Sequence, residues 1–152
     1  MIRVLFVCLG NICRSPMAEG LFKQMVVDQN IDTEFCIESR ATSTYEIGNQ
    51  VHPGTKKILD KYCIDSSYMR AKQITTNDFY TFDYILCMDD NNLCSLKKSV
   101  PSNAKVVIKK LLDYTNLTRK DISDPWYTGK FEQTYEDVYL GLTGFLNTVY
   151  FK

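Results

Sequence analysis

Residues 3–16 read RVLFVCLGNICRSP, and this short segment carries most of what the chain says about its architecture. Its first part, 3–8, is an apolar run rich in β-branched and aromatic residues without polar alternation, which is typical of a strand buried on both faces. Ser15 and Pro16 then indicate a helix start, because a proline in the first helical turn loses no hydrogen bond. A buried strand, a tight loop and a helix in this order predict the opening unit of an α/β domain.

Strand-like and helix-like segments alternate along the rest of the chain. The predicted strands are 34–39, 84–88 and 105–108, the predicted helices 15–28, 55–62, 90–98 and 132–151, and the predicted long loops 42–54 and 121–130. Gly141 and Gly144 weaken the pattern of the last helix. We therefore expect a three-layer α/β sandwich with a four-stranded parallel sheet flanked by helices. Because such sheets bind ligands beyond the carboxyl ends of their strands, the loop after the first strand is the predicted site.

Length and composition limit the classes of protein to consider. The 152 residues fit a single domain, 1–152, and 18 basic residues balance 18 acidic ones, so charge gives no argument for a nucleic-acid or membrane partner. No apolar segment has the length of a signal peptide or a membrane helix. We expect a cytoplasmic monomer, with at most weak self-association, whose six cysteines are reduced.

The loop from Cys8 to Ser15 has the form C-x5-R-S. A loop that enters a helix can turn several backbone N–H groups inward and form an anion-binding nest, and Gly10 and Asn11 tolerate the left-handed conformations that such a loop requires. Cys8 in this nest would be favoured as a thiolate, and Arg14 could hold two phosphate oxygens. The spacing alone is a weak signal, since a core cysteine followed by a surface arginine also produces it.

The segment from Cys8 to Gly20, CLGNICRSPMAEG, closely resembles the phosphate loop and first helix of the low-molecular-weight protein-tyrosine phosphatases. The resemblance continues in 39–45, 82–89 and 124–127 and so covers nearly the whole chain. It implies hydrolysis of phosphotyrosine through a phosphocysteine on Cys8, with Arg14 stabilising the transition state and Asp124 as general acid and then base. It implies no cofactor and no metal. The implied partners are tyrosine-phosphorylated proteins or small aryl phosphates.

The same resemblance assigns further site residues. It implies that the loop binds phosphate through Leu9, Gly10, Asn11, Ile12 and Cys13, that the pocket walls are Tyr45, Trp126 and Tyr127, and that the loop is supported by Ser15, Ser39 and Asp89. Plain packing remains an alternative for the three aromatic residues, and a helix cap for Asp89. Cys13 matches a second family cysteine that can form a reversible disulfide with the nucleophile. Ile12 is apolar where relatives acting on phosphoarginine carry threonine, which favours the tyrosine interpretation.

Two positions depart from the family pattern. Met69 stands where the family often has a histidine linked to the loop, so we expect the hydrogen-bond network behind the loop to be shorter or filled by water. Thr128 is added before Gly129, and we expect it to alter the rim of the pocket. The single histidine, His52, fits no catalytic role.

Two other functions remain open from the residues. An arsenate reductase of the same fold would use Cys8 with Cys87 and Cys94, which are spaced C-x6-C. A non-catalytic phosphotyrosine-binding module would use the same anion nest. The reductase needs neither Asp124 nor aromatic walls, and a binding module needs neither Cys8 nor Asp124, so the presence of these residues favours the phosphatase.

Overall fold

The central strand of the sheet is the apolar run that opens the sequence. A computed structural model describes residues 1–152, and its four strands are β1, Ile2–Cys8; β2, Phe35–Ala41; β3, Tyr84–Cys87; and β4, Val107–Lys110. All neighbouring strands are parallel, in the order β2-β1-β3-β4. Val4, Leu5, Phe6 and Val7 are completely buried, because helices cover both faces of this strand. The predicted four-stranded parallel sheet is confirmed.

Helices lie on both faces of the sheet and give it three layers. They are α1, Arg14–Asp28; α2, Pro53–Lys61; α3, Asp78–Thr81; α4, Asp90–Ser99; α5, Pro125–Thr128; and α6, Phe131–Val149. Alternate residues of β1 enter two separate cores, since successive side chains of a strand point to opposite faces. Val4 and Phe6 pack with side chains of α1, α2 and α6, whereas Leu5 and Val7 pack with those of α3 and α4. None of the helices has both the length and the apolar character needed to cross a membrane.

Two predicted elements are corrected by the structure. The strand predicted at 105–108 lies at Val107–Lys110, because this edge strand pairs only with β3 and extends into two lysines that interrupt the apolar pattern. Lys110 donates hydrogen bonds to Asp90 and Asp121, which compensate its charge. The segment 121–130, predicted as loop throughout, contains the four-residue helix α5. Such a short helix has no apolar periodicity to detect.

The two glycines of α6 allow close packing. This helix lies against a 3₁₀ turn at Leu111–Tyr114. A Cβ atom at Gly144 would overlap the carbonyl oxygen of Tyr114, and one at Gly141 would lie 2.6 Å from Cγ of Leu111. The residues that weaken the helical pattern in the sequence therefore allow the helix to approach its neighbour.

We expect Gly144→Ala to lower the free energy of unfolding by about 2 kcal/mol, because the overlap with backbone outweighs the better helix propensity of alanine. Urea denaturation followed by circular dichroism measures the change. Asn147→Ala, at an exposed position of the same helix, is the matched control and should be neutral or slightly stabilising. A Gly144→Ala protein as stable as this control would contradict the close approach.

Candidate active site

The site begins where β1 ends and α1 starts. Cys8 is the last residue of the strand, Arg14 is the first residue of the helix, and residues 9–13 form the loop between them. Asn11 has a φ of 59° and is the loop's one left-handed residue, in agreement with the sequence prediction. Gly10, the other residue of the loop that tolerates this conformation, does not have a positive φ.

The sulfur of Cys8 receives hydrogen bonds from its own loop. The backbone N–H of Asn11 donates to Sγ at 3.3 Å, and Oγ of Ser15 lies 3.0 Å from the same atom. Nδ2 of Asn11 donates to Oγ of Ser15 at 2.8 Å, and the serine hydroxyl has two possible acceptors, Sγ of Cys8 at 3.0 Å and the carbonyl oxygen of Arg40 at 3.5 Å. The sulfur of Cys8 is therefore held in place by its hydrogen-bond contacts with Asn11 and Ser15.

Arg14 is a buried cation beside this sulfur. Its Nη1 donates to Oδ2 of Asp89 at 2.6 Å and to the carbonyl oxygen of Ile122 at 2.8 Å, while Nη2 lies 3.3 Å from Oδ2 of Asp124. Burial alone would lower its pKa, but the charges of Cys8 and of the two carboxylates outweigh burial and raise the pKa above its ordinary value. The Arg14 side chain is only 2% exposed, yet its Nε has no hydrogen-bond partner.

Asp89 and Asp124 reach Arg14 from two different segments. Asp89 caps α4 by accepting from the backbone N–H of Asn92 and also binds Arg14, so both roles considered for it are present. Asp124 caps α5, because its Oδ1 accepts from the N–H of Trp126 at 3.0 Å. Its Oδ2 faces Arg14 across 110 residues of chain. The carboxyl group predicted as general acid thus lies in the same pocket as the predicted nucleophile.

The predicted aromatic residues line this pocket. Tyr45 and Tyr127 are each 78% exposed and Trp126 is 55% exposed. The pocket is lined by Cys8, Leu9, Gly10, Ile12, Cys13, Arg14, Tyr45, Glu46, Asp124, Trp126 and Tyr127. Exposed aromatic rings around a buried cysteine and arginine form apolar walls above a polar base, which is a suitable shape for an aryl phosphate. Plain core packing does not account for rings as exposed as these.

Glu46 and His52 are two neighbours of the pocket that the sequence did not single out for it. Glu46 lines the pocket beside Tyr45. His52 stacks on Phe131 and meets Trp126 edge to face, with ring centroids 5.5 Å apart. It therefore supports a wall of the pocket from behind. Thr128 ends α5 next to Tyr127 and does not itself line the pocket, and its effect on the rim stays a prediction.

The remaining cysteines differ in their surroundings. Burial, followed by the nearby charges of Cys8 and Asp124, raises the pKa of the Cys13 thiol to about 12, so Cys13 stays a protonated neighbour of the nucleophile. Burial, followed by the charge of Asp89, likewise raises the pKa of Cys87 to about 12. Cys87 lies within β3 and Cys94 is exposed on α4. Neither lines the pocket of Cys8.

A hydrogen-bond network supports the loop from behind. Asn11 donates from Nδ2 to Ser39 at 2.9 Å and accepts at Oδ1 from the backbone N–H of Lys72 at 3.0 Å. Ser39 then donates to Oε1 of Glu19 at 2.6 Å. Direct hydrogen bonds thus continue from Asn11 to Glu19 although the side chain of Met69 offers no polar group, and the expected shortening relative to the family stays a prediction. The sequence feature that could have singled out Glu19 is its i, i+4 spacing to Lys23 on the predicted helix.

Comparison with known proteins shows similarity along nearly the entire chain. The family model described as "Low molecular weight phosphotyrosine protein phosphatase" matches residues 3–152. The rat protein of that name is 45% identical over 137 residues, covering 88% of this chain and 86% of the relative. "Low molecular weight protein-tyrosine-phosphatase PtpA" of Staphylococcus saprophyticus is 40% identical over 149 residues, covering 98% and 94%. The crystal structure of YfkJ from Bacillus subtilis superimposes with a TM-score of 0.94 at 39% identity, covering 98% and 94%.

Proposed function

This chain belongs to the low molecular weight phosphotyrosine protein phosphatase family, and we propose that this phosphatase hydrolyses phosphotyrosine monoesters through a phosphocysteine on Cys8. In the first step a bond forms between Sγ and phosphorus, the bond from phosphorus to the tyrosine oxygen breaks, and Asp124 gives that oxygen a proton. In the second step Asp124 takes a proton from water, whose oxygen attacks phosphorus and releases phosphate and the Cys8 thiolate. In this proposal residues 1–152 belong to a single phosphatase domain.

The observation that carries the proposal is the unpaired edge of Arg14. Nη1 is fully engaged by Asp89 and Ile122, whereas Nε is buried without a partner and Nη2 makes only the 3.3 Å contact to Asp124. A buried polar group without a partner is costly unless a ligand satisfies it. A phosphoryl group accepts from Nε and Nη2 together, and the same contact stabilises the charge on the equatorial oxygens in the transition state.

The contact between Arg14 and Asp124 also gives the acid its position. One oxygen of Asp124 is fixed by the N–H of Trp126, so the carboxyl group cannot rotate freely. When a phosphoryl group takes over Nη2 of Arg14, Oδ2 of Asp124 is released toward the oxygen of the leaving group. An acid on the side of phosphorus opposite to the nucleophile suits the in-line arrangement of attacking and leaving atoms.

The walls of the pocket determine the substrate class that we propose. Tyr45, Trp126 and Tyr127 offer flat apolar surfaces to a phenyl ring. A phosphoserine side chain lacks this ring and is too short to bring its phosphate to the base of the pocket while the peptide stays outside. Tyrosine-phosphorylated proteins and small aryl phosphates are therefore the expected substrates, and a cytoplasmic location would supply the reducing conditions that Cys8 needs.

Phosphate release from a pair of peptides tests this assignment. We expect a phosphotyrosyl peptide to react at least about 100-fold faster, in kcat/KM, than the same peptide with phosphoserine. Comparable rates for the two peptides would contradict the proposed role of the walls.

Arsenate with a thiol donor belongs in the same assay, because the buried thiol of Cys87 and the position of Cys94 outside the pocket disfavour a reductase. Retention of the phosphotyrosyl peptide without phosphate release would instead indicate a binding module.

We further propose that Cys13 protects the nucleophile against oxidation. Hydrogen peroxide converts the Cys8 thiolate to a sulfenic acid and is itself reduced to water. The Cys13 thiol, which lines the same pocket, then condenses with the sulfenic acid to a disulfide with loss of a second water. An external thiol reduces this disulfide and returns both cysteines to their starting state.

Peroxide inactivation of a Cys13→Ser variant checks this role. The unmodified protein should recover most of its activity with dithiothreitol after complete inactivation, whereas Cys13→Ser should recover at least about tenfold less, because its sulfenic acid is oxidised further. Cys63→Ser, which removes an exposed cysteine, is the matched control and should recover like the unmodified protein. Equal recovery of Cys13→Ser would exclude the pairing.

A further inference from the structure

A closed triangle of hydrogen bonds surrounds one oxygen of Glu19, behind the phosphate loop. Oε2 of Glu19 accepts from Nζ of Lys23 at 2.8 Å and from the hydroxyl of Tyr68 at 3.2 Å, and Lys23 also donates to the oxygen of Tyr68 at 2.9 Å. Glu19 is 7% exposed, so its carboxylate has little water to solvate it. A carboxylate in such a place is stable as an anion only when donors and a cation compensate it.

The other oxygen of Glu19 connects this triangle to the nucleophile. Oε1 accepts from the hydroxyl of Ser39, so the oxygen of Ser39 is left to accept from Nδ2 of Asn11. The second hydrogen of the same amide goes to Ser15, whose hydroxyl lies against Sγ of Cys8. Because an ionised carboxylate only accepts hydrogen bonds, it fixes the direction of the bond from Ser39 to Glu19 and of the bond from Asn11 to Ser39.

Of the other cationic side chains nearby, Arg40 and Arg70 have partners of their own, and Lys72 makes no ion pair with Glu19. Glu38, Arg40, Arg70 and Lys72 line the same cavity as Lys23 and Tyr68. Arg40 pairs with Glu38 and Asp78, and Arg70 donates to backbone carbonyl oxygens. Lys23 is thus the cation that contacts Glu19, one helical turn along α1. Burial alone would lower the pKa of Lys23, but its bonds to Glu19 and Tyr68 raise it, which keeps this side chain charged.

We propose that Lys23 and Tyr68 are positioning residues for the phosphate loop, which act on Cys8 through Glu19, Ser39 and Asn11. The proposal rests on the function assigned to Cys8 above. Met69, beside Tyr68, is buried, and its side chain has no hydrogen-bond donor. The donors to Glu19 are instead the ammonium group of Lys23, on α1, and the hydroxyl of Tyr68. Without Lys23, Glu19 either remains an uncompensated charge near the thiolate or takes up a proton and loosens its hold on Ser39.

Two variants and a conservative replacement test this role. We expect Lys23→Met to lower kcat on the phosphotyrosyl peptide about tenfold and to change KM little, because the loop loses its alignment while the walls remain. The midpoint of the pH dependence of Cys8 alkylation by iodoacetamide should move up by about one pH unit. Tyr68→Phe should lower log kcat and raise the alkylation midpoint by about a third of the changes expected for Lys23→Met. Lys23→Arg, which keeps the positive charge, should retain most of the kcat of the unmodified protein.

Matched controls separate positioning from general loss of stability. Lys56→Met removes an ion pair with the same i, i+4 spacing on α2, and Tyr80→Phe removes a hydroxyl that donates to Asn103 from a tyrosine with the same 53% exposure as Tyr68. Both should leave kcat and the alkylation midpoint unchanged. A Lys23→Met protein that loses only thermal stability, with kcat and alkylation like those of Lys56→Met, would overturn the proposal.

The measurement of Cys8 alkylation does not depend on the proposed phosphatase activity. Mass spectrometry of the peptide that contains Cys8 distinguishes its alkylation from that of the exposed Cys63 and Cys94. If the unmodified protein released no phosphate from phosphotyrosine, the proposed function would fail while the alkylation midpoints of the variants could still be compared. An unchanged midpoint in Lys23→Met, with normal phosphatase activity of the unmodified protein, would reject the positioning role alone.

Discussion

Cys8→Ser is expected to reduce phosphate release from a phosphotyrosyl peptide at least about 10⁴-fold while leaving the binding of inorganic phosphate within about threefold. A serine hydroxyl stays protonated at neutral pH and is a far weaker nucleophile toward phosphorus than a thiolate. The proposed anion nest does not depend on the sulfur, since the backbone of the loop and the unpaired Nε of Arg14 remain in place. Turnover and phosphate binding should therefore separate in this one variant.

Steady-state phosphate release and calorimetric titration with inorganic phosphate measure the two quantities. Cys94→Ser, at an exposed position on α4, is the matched control and should keep both. Acid quenching of the unmodified protein during turnover should also leave phosphate bound covalently to the peptide that contains Cys8. Substantial turnover by Cys8→Ser, or loss of phosphate binding together with turnover, would contradict the roles given to the sulfur and the loop.

Replacement of Asp124 is expected to slow substrates in proportion to the basicity of their leaving group. Asp124→Ala should lower kcat/KM for phenyl phosphate about 10³-fold, for p-nitrophenyl phosphate about tenfold and for dinitrophenyl phosphate hardly at all. A phenolate of high pKa needs a proton as it leaves, whereas a strongly acidic phenol leaves without one. The slope of log(kcat/KM) against leaving-group pKa, which should become steeper, is the measured quantity.

Two companion variants isolate the acid from the other contacts of Asp124. Asp124→Asn keeps an oxygen that can accept from the N–H of Trp126 and so preserves the cap of α5, but it cannot donate a carboxyl proton. It should show the same leaving-group dependence as Asp124→Ala. Asp121→Ala removes a carboxylate of the same segment that binds Lys110 and should leave the slope unchanged. An equal loss for all three aryl phosphates in Asp124→Asn would remove Asp124 from the acid role.

Local pattern predicted the part of the site that is continuous in sequence. An unbroken apolar run indicates a strand covered on both faces, and Ser15 with Pro16 favours a helix start. The position of the loop between them therefore follows from local sequence, without knowledge of tertiary contacts. The same local argument named Gly10 and Asn11 as the residues that tolerate a left-handed conformation, and Asn11 is the one that adopts it. The edge strand β4 and the short helix α5 were misjudged, because lysines or a length of four residues hide the periodicity on which such predictions depend.

The sequence by itself predicted the succession of strands and helices along the chain, the position of the loop between β1 and α1 and, through its resemblance to a family, Asp124 as the candidate acid. Only the tertiary structure decided that Asp124 meets Arg14 across 110 residues and that Tyr68 meets Glu19 across 49. Periodicity reports neighbours within one or two turns of a helix or along one strand. Contacts over longer separations arise when parallel strands bring their carboxyl ends to one edge of the sheet and the helices pack around it, so their partners are defined only in the folded chain.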